Sequence, residues 1–203
     1  MTNSGGEAAI VLCGGRSRRM NRDKWSLPFG GETMLERVVG VVSQVVDEVW
    51  VVAREGQVVE GDFQIARDPA EGLGPLAGLV AGLEAMAADR AFLTTCDVPF
   101  LEPAYVAHLL AESRGQPITV PVVGDHTMVT SAVYSREVLP VARDLLRRRR
   151  LRPLFLVEAF DTHFLSEASL REVDPELVSL RDINTPEAYR DALAVADRDA
   201  QGR

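Results

Sequence analysis

Ala9-Ile10-Val11-Leu12-Cys13-Gly14-Gly15-Arg16-Ser17-Arg18-Arg19-Met20-Asn21-Arg22-Asp23-Lys24 passes from an apolar run into two glycines and then five cations. Residues 8–12 have no polar face, as expected of a central strand in a parallel sheet covered on both sides. Gly14-Gly15 ends that strand. Two glycines tolerate positive φ and let a polyanion approach the backbone N–H groups without meeting a Cβ, while Arg16, Arg18, Arg19, Arg22 and Lys24 supply positive charge. The stretch therefore predicts an α/β fold in which the first strand delivers an anion-binding loop. A bare strand-ending turn with solvated arginines is the plainer alternative, and it leaves the charge unexplained.

Two common phosphate loops are excluded by spacing. A Walker A loop needs Gly, four residues, then Gly-Lys-Ser/Thr, and the chain has no such string; Gly14-Gly15 does not fit Gly-x-Gly-x-x-Gly either. The stretch is instead similar to the Leu-Ala-Gly-Gly-x-x-x-Arg-Met-Gly-x-Asp-Lys opening of nucleotidyltransferases, and most resembles the molybdenum cofactor guanylyltransferase family. Asp68, Gly74-Pro75-Leu76-Ala77-Gly78, Cys96-Asp97-Val98-Pro99-Phe100 and Ile183-Asn184-Thr185-Pro186-Glu187 repeat that family's later motifs in order, so the resemblance spans about the whole chain. Three positions depart from it. Cys13 stands where the family usually has Ala, Asn21 where it has Gly, and Asp182 where it has a second Asn. Asn tolerates a left-handed backbone better than other non-glycine residues, so the turn can survive.

The resemblance implies a Rossmann-like, doubly wound, mostly parallel sheet of the nucleotidyltransferase type. It also implies transfer of GMP from GTP to molybdopterin, or to the molybdenum-loaded cofactor, with release of pyrophosphate. By position, Leu12, Cys13, Gly14, Gly15, Lys24, Asp68, Gly74, Gly78 and Asp97 inherit nucleotide-binding roles. Arg19, Lys24, Asp97 and Asn184 inherit catalytic ones, with Asp97 as the ligand of Mg²⁺. Arg150, Arg152 and Asp182 are the candidate acceptor-binding residues. Molybdoenzymes or other cofactor-synthesis proteins are the implied protein partners.

Composition agrees with a small anionic substrate. At 203 residues and 46% hydrophobic content the chain can build one sizeable core, and a single domain over residues 1–203 is expected. A net charge of −8 argues against nucleic acid as a bulk partner and makes the first loop a basic island in an acidic protein. Residues 1–7 lack a charged, then apolar, secretory pattern, and no apolar run approaches the roughly 18 residues of a membrane span. A cytoplasmic protein is expected. Two cysteines and three histidines lack zinc-ligand spacing, so any metal should be oxygen-bound.

Along the chain, Thr33 is placed to cap a helix carrying Met34, Leu35, Val38, Val39, Val42 and Val45 at helical spacing. Residues 49–53 and 63–66 read as the second and third strands of a βαβ alternation. A helix is expected to about residue 88, with Pro75 at its first position. Its approach, Gly72-Leu73-Gly74-Pro75-Leu76-Ala77, is a degenerate dinucleotide fingerprint, so an NAD-binding redox module is the competitor from another class. The intervening residues 68–71 and the missing N–H of Pro75 weigh against it. Within the same fold, a cytidylyltransferase or another nucleotidyltransferase is the alternative.

Residues 91–95 form the fourth strand, which should lie beside the first and put Asp97 opposite Gly14-Gly15. A carboxylate beside a triphosphate needs an intervening cation, which is why Asp97 reads as a Mg²⁺ ligand. The same adjacency brings Cys13 and Cys96 together, and the basic loop predicts thiolate character there. Further on, residues 103–111 and 136–149 suit helices, and residues 118–123 and 129–134 suit strands. Thr185 before Pro186 predicts a last helix, fraying over residues 197–203.

Overall fold

The computed structural model describes residues 6–13, 24–68 and 73–201. Gly14, Gly15, Arg16, Arg18, Arg19, Asn21 and Arg22 lie outside the described residues.

Strand β1 (Glu7–Leu12) is central, as its continuous apolar run requires. After the hairpin β2 (Pro28–Phe29) and β3 (Glu32–Thr33) come α1 (Met34–Val42), β4 (Glu48–Arg54) and β5 (Gln64–Asp68). Next are α2 (Pro75–Ala85), β6 (Arg90–Thr95), α3 (Pro103–Glu112), β7 (Ile118–Val123), β8 (His126–Thr127) and β9 (Ala132–Ser135). The chain continues through α4 (Leu139–Arg147), α5 (Leu154–Val157), β10 (Thr162–Leu165), α6 (Glu167–Arg171) and α7 (Pro186–Gln201). Among the described residues the main sheet has eight strands in the order β10-β7-β9-β6-β1-β4-β5, with β8 paired to β7.

All pairings are parallel from β6 across β1 and β4 to β5, whereas β9 runs antiparallel between β6 and β7. The chain winds from β1 outward to β5, then returns to the other side of β1 as β6. The strand order thus reverses between β1 and β6, and in open α/β sheets the crevice beyond the carboxyl ends at such a point is where ligands bind.

Each face of the sheet has its own core. Ala9, Val11, Cys13, Phe92 and Cys96 pack under α1 and α3, through Leu35, Val38, Val42, Tyr105, Val106 and Leu109. Ala8, Ile10, Ala91 and Leu93 pack under α2 and α4. Thr33 caps α1 with a full capping box: the Glu36 N–H donates to Thr33 Oγ1 at 3.2 Å and the Thr33 N–H donates to Glu36 Oε2 at 2.7 Å. Helix α2 differs, being buried over most of its length and opening on Pro75 in the first turn after Gly74 at φ 73°. A third, smaller core of Leu27, Phe29, Met34, Ile183 and Ala192 fastens α7 to the β2–β3 hairpin.

Several boundaries move. Residues 129–131 form a turn rather than strand, with the Ser131 N–H on Met128 O at 2.9 Å, so β9 starts only at Ala132. Residues 136–138 are a 3-10 turn, because Ser135 caps there and Pro140 fits only the first turn of the helix that follows. Helix α7 spans Pro186–Gln201. No helix among the described residues is long and apolar enough to cross a membrane.

Candidate active site

Strands β1 and β6 end side by side, in register from Glu7 opposite Arg90 to Leu12 opposite Thr95. The ladder runs one residue further, since the Cys96 N–H donates to Leu12 O and the Cys13 N–H to Val52 O, both at 3.0 Å. Asp97 therefore emerges beside the point where the chain enters Gly14-Gly15. Its backbone and side chain are both tied down. The Ile183 N–H donates to Asp97 O at 2.8 Å, and the Thr95 hydroxyl donates to Asp97 Oδ1 at 2.5 Å.

The remaining carboxylate oxygen faces Lys24, the first residue of a 3-10 turn (Lys24–Ser26), whose Nζ lies 2.7 Å from Asp97 Oδ2. The same ammonium donates to Asn184 Oδ1, and the Asn184 amide nitrogen donates to Asp182 Oδ2. This chain of contacts fixes the amide. An ammonium has no acceptor, so Asn184 must turn its oxygen to Lys24, and the carboxylate of Asp182 has no proton to offer, so it takes the nitrogen. Lys24 and Asp97 are each 17% exposed, enough for a ligand to reach them. Lys24, Asp97 and Asn184, three residues expected at the site from different parts of the sequence, are thus brought into direct contact. Asp182, expected to bind the acceptor, is in contact with Asn184.

The other expected residues that the structure describes lie as follows. Gly78 is buried under β1, where a Cβ built on it would lie 2.7 Å from Leu12 Cδ2, the end of a side chain that can turn aside. Gly74 is exposed at the helix start, where its positive φ makes the turn that Pro75 follows. Asp68 ends β5, opposite Arg54 on β4. Arg150 stacks over the Phe155 ring at 4.0 Å, and Arg152 accepts the Phe155 N–H at its carbonyl. No contact described for Arg150 or Arg152 joins them to the Lys24–Asp97–Asn184 junction.

Cys13 and Cys96 do share a face, both buried in the core beneath α1 and α3, and neither is in a disulfide. The expected thiolate character does not hold for Cys96: burial, with the Asp97 charge next to it, pushes its thiol well above the usual range and outweighs Lys24.

Three participants were not expected. Thr95 and the Ile183 N–H hold Asp97, and Gln57, 9% exposed, donates from Nε2 to Cys13 O at 3.3 Å while accepting the Arg54 N–H at 3.1 Å. Gln57 thereby fixes the last residue before Gly14. The only signal for it in sequence is an amide within a polar turn after a strand, which is too common to single out. A groove lined by Trp25 and residues 54–58 includes neither Asp97 nor Asn184 in its lining.

A cation junction at the strand-order reversal of a doubly wound sheet, next to a glycine-ended strand, defines an enzyme that handles nucleotide phosphates. The chain belongs to the MobA-like NTP transferase family, whose domain description matches residues 9–167. Its sequence is 31% identical over 198 residues to a probable molybdenum cofactor guanylyltransferase of Pelotomaculum thermopropionicum, covering 96% of this chain and 95% of that protein. It is 33% identical over 188 residues to a molybdenum cofactor guanylyltransferase of Desulfosudis oleivorans, covering 91% and 93%. Its fold matches the crystal structure of molybdopterin-guanine dinucleotide biosynthesis protein A from Archaeoglobus fulgidus with a TM-score of 0.82 at 23% identity, covering 95% of this chain and 99% of that one.

Proposed function

We propose that this chain transfers GMP from GTP to the terminal phosphate of molybdopterin, as a single cytoplasmic domain using Mg²⁺. The observation that supports this best is the contact of Lys24 with both Asp97 and Asn184 at the carboxyl edge of β1 and β6. The names of the relatives supply the base and the acceptor. In the reaction, an acceptor phosphate oxygen attacks the α-phosphorus of GTP, the bond from that phosphorus to the β-phosphate oxygen breaks, and pyrophosphate leaves. A phosphate oxygen is already nucleophilic at neutral pH, so no general base is required. The protein's task is to bring two polyanions together and offset the charge that gathers on the α-phosphate.

The oxygens of Asp97, Asn184 and Asp182 are hard donors, which suits Mg²⁺ better than a softer metal. Among the described residues no three His, Cys, Asp or Glu side chains converge as a metal cage, which fits a cation held by one or two carboxylates and completed by substrate phosphates. Bound there, Mg²⁺ would neutralise developing phosphate charge. Lys24 supplies a mobile point charge for the phosphates, Thr95 and Ile183 keep the Asp97 carboxylate aimed, and Asn184 presents an oxygen to the same spot. Arg19 is the further loop cation assigned to the triphosphate.

A thermal-shift series with GTP, CTP, ATP and NADH, each with Mg²⁺, tests the reading. GTP should raise the melting temperature most, because a ligand bound only by the folded state stabilises it more the tighter it binds. A larger shift with CTP would make the protein a cytidylyltransferase, and a shift with NADH alone would overturn the nucleotidyltransferase reading.

A further inference from the structure

The Lys24 ammonium occupies the position that the proposed metal needs. It lies 2.7 Å from Asp97 Oδ2 and also donates to Asn184 Oδ1, while the other oxygen of Asp97 is engaged by the Thr95 hydroxyl. Asp182 holds the Asn184 amide so that its oxygen, not its nitrogen, faces this point. The junction is therefore a preformed cation seat that is filled from within.

We propose that Lys24 is a built-in placeholder for the divalent metal, so that ammonium and metal exclude one another between Asp97 and Asn184, and the metal enters only as an arriving triphosphate draws Lys24 away. The inference rests on Asp97 being the metal ligand of the proposed function. Mg²⁺ on these oxygens would sit about 2.0–2.1 Å from each, overlapping the space the ammonium fills, and two cations so close in a part-buried site repel one another strongly. A lysine suits the exchange because its charge is a compact point on a flexible four-carbon stem that can swing from carboxylate to phosphate without moving the backbone. A nucleotide-free enzyme would then bind divalent metal weakly, and the triphosphate would create the metal site by supplying oxygens and removing a competitor in one step.

The test measures Mn²⁺ affinity by electron paramagnetic resonance on the full chain without nucleotide, which needs no turnover. Lys24→Met, which keeps the stem and removes the charge, and Lys24→Ala should each bind Mn²⁺ at least about tenfold more tightly than wild type, a factor that corresponds to about 1.4 kcal/mol. Asp97→Asn in the Lys24→Met background should abolish that gain. In wild type, adding GTP should bring Mn²⁺ affinity up to or beyond that of Lys24→Met. Equal or weaker Mn²⁺ binding by both folded Lys24 variants would overturn the proposal. So would a gain that survives Asp97→Asn, since the metal would then sit elsewhere. Circular dichroism on every variant separates lost binding from lost fold. Because the Lys24 and Asp97 comparisons are made without nucleotide, a wrong base or acceptor assignment leaves their outcome unchanged.

Discussion

The seat of α2 on β1 and the junction at Asp97 lie on neighbouring strands, yet opposite physical logic builds them. Along α2, Gly78 stands over Leu12 and Gly82 over Ile10, one helical turn and one strand repeat apart, so an apolar helix can approach an apolar strand closely. The junction joins polar side chains from three distant segments, with Lys24 separated by 73 residues from Asp97 and by 160 from Asn184. A glycine-bearing helix at a ligand-binding edge can thus serve packing, while the charge chemistry at the same edge is assembled only when motifs far apart in the chain meet.

If that division is right, the two regions should fail differently when altered. Asp97→Asn keeps the shape but removes the charge that Lys24, and on our reading the metal, depends on. Turnover should fall by about 10²–10³, the loss typical of one charge-stabilising group in an active site, while the melting temperature changes little. Steady-state rates at saturating Mg²⁺ measure this, and a variant retaining more than about a tenth of wild-type turnover would remove Asp97 from the reaction.

The glycine pair should give the next largest effect, and it should be unequal. A Cβ on Gly82 would lie 2.7–2.8 Å from three atoms of Ile10, a fully buried, β-branched residue in the central strand that has nowhere to move. Gly82→Ala should cost about 1–3 kcal/mol from overpacking, more than the roughly 1 kcal/mol that alanine gains over glycine in a helix. A Cβ on Gly78 meets the tip of Leu12, which is only partly buried and can rotate. Gly78→Ala should therefore be close to neutral in melting temperature. If it lowers GTP affinity instead, Gly78 lies against the nucleotide, as its motif implies, and the two regions share a surface.

A smaller, opposite effect is expected at Thr119, fully buried in β7 with its hydroxyl lacking a partner. Thr119→Val replaces that hydroxyl with a methyl group of similar size, so the desolvation cost of an unpaired polar atom disappears. A gain of about 1 kcal/mol is expected, read as a rise of about 2–4 °C in melting temperature for a chain of this length. No change would mean that the hydroxyl finds a partner in solution.

What could be read in the sequence follows the same division. Continuous apolar runs placed β1, β4, β6 and β7 to within a residue or so, because parallel-sheet burial leaves a local signature. The short strands β8 and β10 and the antiparallel placement of β9 left none, since two to four residues carry no period and pairing partners are non-local. At the site, Lys24, Asp97 and Asn184 were legible through motif resemblance and through the need of a carboxylate near phosphate for a cation. Thr95, Gln57 and the Ile183 N–H were not, because a hydroxyl, an amide and a backbone group acquire their roles only when distant segments meet.

The Arg-rich end of α4 gives the smallest expected effect and tests whether this stretch serves structure or ligand. Arg149 has φ 55°, and the bonds from its N–H to Leu146 O at 3.0 Å and from the Arg150 N–H to Leu145 O at 2.9 Å close the helix in the form that glycine usually completes. A left-handed conformation costs a side-chain-bearing residue about 1–2 kcal/mol, which Arg149→Gly would relieve. Against this stands the loss of a cation at a helix C-terminus, worth about 0.3–1 kcal/mol and weakened by salt. Its neighbours are held independently, Arg147 and Arg148 on Asp144 at 2.7 Å each and Arg150 on Phe155, so the substitution removes little else. Arg149→Gly should therefore raise the melting temperature slightly at low salt and more in about 1 M NaCl, where the lost dipole interaction no longer counts. A melting temperature that falls at both salt concentrations would mean that the Arg149 side chain makes stabilising contacts outweighing its strain. A fall in acceptor affinity with stability raised as expected would instead make this strained arginine part of the acceptor site, the role assigned from sequence to Arg150 and Arg152.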